Sequence, residues 1–153
     1  MRTCIATLLA ATTYVACASR GEPYEETMEL EYRHSFDFMW ENVIEALGKH
    51  YDIAEANRET RTITTDWRTN LAVMSHFGYR TRLIVTLDGS VTDGWTVTVK
   101  EEAEKNVEQV NPLAESKAEW KPTDSDGGTA ARFRVSLYRR LNPRQDWRDA
   151  DVR

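Results

Sequence analysis

Polar and apolar residues alternate along parts of this chain and recur at helical spacing along others. Residues 27–34, "TMELEYRH", alternate, with Met28, Leu30 and Tyr32 on one side and Glu29, Glu31 and Arg33 on the other. That is the pattern of a half-buried strand. The period then turns helical. Phe36, Trp40, Val43, Ile44 and Leu47 recur on one face, with Glu41, Asn42 and Glu45 opposite. Ser35 offers an N-cap, Asp37 puts negative charge in the first turn, and Gly48 suits a C-cap. The spacing predicts an amphipathic helix over 36–48 whose bulky stripe faces a core. Residues 51–67 read as a hairpin, "YDIAEAN" and "RTITTDW", around a polar turn at Arg58-Glu59-Thr60. Ile63, Thr65 and Trp67 share one face of its second strand. Residues 79–87 and 94–108 are the clearest strands, with Asp88-Gly89 and Asp93-Gly94 bracketing their turn. Trp95, Val97 and Val99 line one face of the latter, and Thr96, Thr98 and Lys100 the other.

Two stretches carry no period. Residues 68–78, "RTNLAVMSHFG", read as a long loop bearing Leu71, Val73, Met74 and Phe77. These side chains either fold under as a lid on the core or form a partner-binding patch. Residues 111–128 form a connector with two Pro and a Gly-Gly. The segment after it, "TAARFRVSLYRRLN", fits two periods. Ala131, Phe133, Val135 and Leu137 alternate like a strand; Ala130, Phe133, Leu137 and Leu141 follow a helix. The helix is favoured, because the pattern runs to Leu141 and stops before Pro143. Thr129 would be its N-cap, with Arg139-Arg140 near its C-terminus. The expected fold is a single α+β domain. A largely antiparallel sheet is packed by one N-terminal amphipathic helix and a C-terminal helix.

The chain begins with one basic residue and a short apolar run, "TCIATLLAATTYVA" at 3–16. The run matches a signal-peptide h-region and is too short for a membrane span, which needs about 20 residues. Val15-Ala16-Cys17 matches the end of a bacterial lipobox, so the expected mature chain begins at lipidated Cys17. Cleavage after Ala18, giving a soluble periplasmic or secreted protein, is the alternative. Ala18, and not Asp, follows Cys17, so the expected location is the periplasmic face of the outer membrane. Residues 1–17 are then the lipoprotein signal segment ending at the lipobox Cys17, 18–26 a flexible tether, 27–142 the domain and 143–153 a basic tail.

The net charge of −5 is unevenly placed. Residues 129–153 hold seven Arg and three Asp, a net of +4, which leaves −9 on residues 1–128. An acidic body does not suit nucleic acid, whose phosphates need a basic face. Both cysteines, Cys4 and Cys17, precede the domain, which excludes a disulfide framework, a thiolate zinc site and a catalytic cysteine within it.

"FDFMWENVIEALGKHYDIAEANRETRTITTDW" at 36–67 resembles the repeated domain of the BamC lipoproteins of the bacterial β-barrel assembly machine. The shared features are a helix opening with Phe and containing Trp, and a Gly end leading into a "Y-x-I" strand. A polar turn and an "I-T-T-x-W" strand follow. The resemblance covers about a quarter of the mature domain, mostly at core positions. It implies a helix-grip-like α+β domain and an accessory lipoprotein role, and it transfers no catalytic residue.

Chemistry is sparse. His34, His50 and His76 form neither H-x-x-x-H nor H-E-x-x-H, and no nucleophile elbow or phosphate loop occurs. "KEEAEK" at 100–105 reads as a solvated strand extension. No metal or cofactor is expected. The expected function is a non-enzymatic accessory subunit of an envelope protein complex. Leu71, Met74 and Phe77 would form the contact centre, and Arg139, Arg140 and Arg144 would steer and rim it. The basic tail also suits anionic lipid headgroups. Rival readings are a small-ligand-binding domain with a closed apolar pocket, and a small hydrolase built on His76.

Overall fold

Ser35 starts the first helix. In the computed structural model, which describes residues 21–71, 78–107 and 117–143, its Oγ accepts the Phe38 N–H at 3.3 Å. Helix α1 (Phe36–Gly48) buries Met39, Trp40, Val43, Ala46 and Leu47. Its end differs from expectation. Gly48 is the last helical residue, and the C-cap is Lys49 with φ −66°. That right-handed geometry makes no demand for glycine. Ser35→Ala removes the cap bond and is expected to cost about 1 kcal/mol, read as a lower urea midpoint.

The strands are β1 (Tyr24–Leu30), β2 (Ile53–Asn57), β3 (Thr62–Thr65), β4 (Arg68–Asn70), β5 (Tyr79–Ser90), β6 (Gly94–Asn106) and β7 (Trp120–Thr123). They form one open antiparallel sheet in the order β1-β6-β5-β3-β2. The β5–β6 hairpin is its spine, in register from Tyr79 opposite Lys105 to Ser90 opposite Gly94. Strands β3 and β4 lie in succession along β5, and β1 and β7 in succession along β6.

Four expectations change here. The first strand begins at Tyr24, so residues 24–26 belong to the sheet and not to a tether. Residues 68–70 are a short strand and not loop, because their backbone pairs with β5. Trp67 leaves the face of Ile63 and Thr65, since residues 66 and 67 interrupt the ladder between β3 and β4. The connector contains β7, whose Pro122 is tolerated because, among the described strands, β7 pairs only with β6 and sits at an edge.

Helix α2 (Gly128–Leu141) settles the ambiguous segment as helix, burying Ala130, Phe133 and Leu137. Its N-cap is Gly127 and not Thr129. Gly127 has φ 71°, and a Cβ there would lie 2.7 Å from the Tyr24 ring. A larger residue at that corner is excluded both by its backbone and by its neighbour. Both helices pack on one face of the sheet. The core joins Trp40, Val43 and Leu47 of α1 and Phe133 and Leu137 of α2 to Ile63, Leu83, Val85, Val97 and Val99. The result is a single α+β domain.

Candidate functional site

The strand period of two gives each strand a second face, and no described helix covers it. A row of threonines crosses this outer face. Thr62 is opposite Thr86, Thr86 opposite Thr98, and Thr98 opposite Thr27. The Thr27 and Thr98 hydroxyls meet at 3.3 Å. Further along β5, Arg80 and Arg82 stand opposite Glu104 and Glu102. Arg80 Nε donates to Glu104 at 2.7 Å, and Arg82 Nε to Glu102 at 2.8 Å. Lys100 Nζ donates to the other Glu102 oxygen at 2.9 Å.

Two indoles frame these pairs. The Arg80 guanidinium carbon lies 4.6 Å from the centroid of the Trp67 ring and 4.7 Å from that of Trp120. The Arg82 carbon lies 4.6 Å from the Trp67 centroid. Ion pairs and cation–π contacts hold the guanidinium groups in place. Sequence reading did not single out these residues. It read residues 79–87 as a strand and placed Trp67 with Ile63 and Thr65, but the cross-strand register and the Trp120 strand were not visible.

Burial pushes the Glu102 carboxyl up, but hydrogen bonds from Lys100 and Arg82 outweigh it and hold the group below the ordinary 4.5. A carboxyl held down in the folded state stabilises the fold above its unfolded value. That contribution is lost as pH falls through the folded value. Stability should therefore fall with acidification below that ordinary value of 4.5. Glu102→Gln should flatten that limb of a stability–pH profile.

A second feature lies on the helix side. A cavity of about 700 Å³ opens between the ends of β4 and β5 and the start of α2, lined among others by Arg68, Asn70, Tyr79, Glu101, Asp126 and Arg132. Glu101 is only 1% exposed. Its Oε2 accepts the N–H groups of Thr129 at 2.9 Å and Ala130 at 2.8 Å. Ser125 Oγ accepts the Gly127 N–H at 3.3 Å, and Asp126 Oδ1 accepts the Gly128 N–H at 2.9 Å. The four N–H groups that begin α2 are thus all satisfied from outside the helix. The reading of residues 100–105 as a solvated extension fails at Glu101, which caps a helix from across the fold.

The residues singled out from sequence fall in several places. Leu71 is half-buried at the end of β4. Arg139 and Arg140 are exposed on the last turn of α2. Arg140 pairs with Glu45 of α1, and Arg134 pairs with Glu26 of β1 at 3.0 Å. Part of the basic stripe therefore binds the acidic body of its own domain. Cys17, Met74, His76, Phe77 and Arg144 lie outside the described residues. His34 is exposed and its ring packs 4.2 Å from that of Phe38, while its carbonyl accepts the Trp95 indole N–H at 3.0 Å. His50 is exposed after α1.

Among the described residues, no group of three or more His, Cys, Asp or Glu side chains could hold a metal ion. None of the described helices is long and apolar enough to cross a membrane. Neither known protein-family models nor curated proteins give a match to this chain.

Proposed function

We propose that this chain is a non-enzymatic lipoprotein, anchored through Cys17 on the periplasmic face of a bacterial outer membrane. It works as an accessory subunit of an envelope protein complex, using a helix-grip domain of the BamC kind. The observation that carries the docking role is the outer sheet face, where Trp67 and Trp120 enclose Arg80. Tryptophan and arginine dominate interface energetics, and a patch already held in place loses little freedom on binding. The expected centre at Leu71, Met74 and Phe77 is thereby joined by a second surface built on Trp67 and Trp120. The small-ligand reading calls for a closed apolar pocket. The cavity beside Glu101 is instead lined largely by charged and hydroxyl side chains.

Capture from detergent-solubilised envelopes tests the docking role. Tagged wild type should retain a fixed set of envelope proteins. Trp67→Ala with Trp120→Ala should weaken retention by about 2 kcal/mol or more. Equal capture by a double variant of unchanged melting temperature would remove the outer face from the interface.

A further inference from the structure

We propose, resting on the lipoprotein reading above, that the sheet edge where β1 meets β7 lies against a zwitterionic phospholipid surface. The domain would then stand on the bilayer by a fixed edge and not swing on a free tether. The chain is already held at Gly21. A Cβ on Gly21 would lie 2.3 Å from the backbone of Thr123, so the backbones of Gly21 and β7 are in direct contact. The Glu22 N–H donates to Asp124 Oδ1 at 2.9 Å, and the Ser125 N–H donates to the Glu22 carbonyl at 3.1 Å. These bonds clamp the incoming chain to the segment that follows β7.

Only Ala18, Ser19 and Arg20 separate Cys17 from Gly21. Four Cα steps span about 14 Å when fully extended. The headgroup layer takes up roughly 5–8 Å on each side of the hydrocarbon. An acyl chain on Cys17 therefore leaves the β1–β7 edge little distance from the membrane surface. Strand β2 closes the other end of the sheet order. It lies four strand spacings away, about 19 Å. The membrane-side edge carries exposed carboxylates at Glu22, Glu25 and Asp124 and an ammonium at Lys121, which pairs with exposed Glu119 at 3.1 Å. That mixture suits headgroups that pair a phosphate with an amine, and a strongly anionic surface would repel its carboxylates.

The sequence provides clean probes, since no cysteine follows Cys17. Lys121→Cys on β7 and Glu55→Cys on β2 each introduce a unique thiol for a fluorescent label. The full chain, processed in cells, is reconstituted into phosphatidylethanolamine–phosphatidylcholine vesicles carrying a headgroup quencher, and mass spectrometry reports lipid on Cys17. The label at 121 should lose most of its fluorescence, and the label at 55 should keep it. A long glycine–serine insertion between Ser19 and Arg20 should restore the signal at 121. Equal quenching at both positions, or quenching at 121 that survives the insertion, overturns the fixed edge while leaving the anchor intact. A chain without lipid on Cys17 overturns the anchor and the edge together.

Discussion

Phe133→Ala should destabilise the domain by about 3–5 kcal/mol, the range for emptying a fully buried aromatic site. Phe133 is wholly buried on α2, within the cluster that includes Trp40 and Leu47 of α1 and Leu83 and Val99 of the sheet. That cluster draws on both helices and the sheet, so the space left by the ring lies among residues of several elements. Phe133→Leu keeps most of the apolar volume and should cost much less. Phe38 is a control of the same residue type. It is 42% exposed on α1, so Phe38→Ala should shift the urea midpoint little. The test is chemical unfolding of the three variants against wild type. Equal losses for Phe133→Ala and Phe38→Ala would show that α2 does not seal the core.

Glu101→Ala should cost about 3 kcal/mol, through a different mechanism. The substitution leaves the Thr129 and Ala130 N–H groups without their acceptor, and it empties the space of a side chain 1% exposed. Helix α2 has no side-chain cap at Gly127 to compensate. A carboxylate at a helix N-terminus is also favoured by the aligned peptide dipoles. Glu101→Gln retains one acceptor oxygen and should recover most of the loss. The remainder measures what the charge itself contributes. Protection of α2 amides in hydrogen exchange gives a local readout: Glu101→Ala should release the first turn before the sheet opens. An alanine variant with wild-type unfolding and unchanged α2 protection would contradict the capping role.

Much of this fold is legible in the order of residues. Periodicity alone places α1 at 36–48 with its Ser35 cap, because a helical stripe and a capping hydroxyl are local properties. It also places the β5–β6 hairpin and sorts Val97 and Val99 from Thr96 and Thr98, because side chains alternate across a strand. The same alternation put Glu101 in the core row, yet a charged residue amid charged neighbours reads as solvated until its partner is known. That partner, the start of α2, lies 28 residues away in sequence. Tertiary packing also settled the segment after Thr129. Its alternating and helical patterns share Phe133 and Leu137; the run to Leu141 favours the helix, and the burial of Ala130 beside Phe133 and Leu137 bears that out. Strands β4 and β7 are too short to show a period, so they exist only through the long neighbours that hydrogen-bond them. The enclosure of Arg80 by Trp67 and Trp120 follows from that same pairing, which brings residues 53 positions apart in sequence onto one guanidinium group.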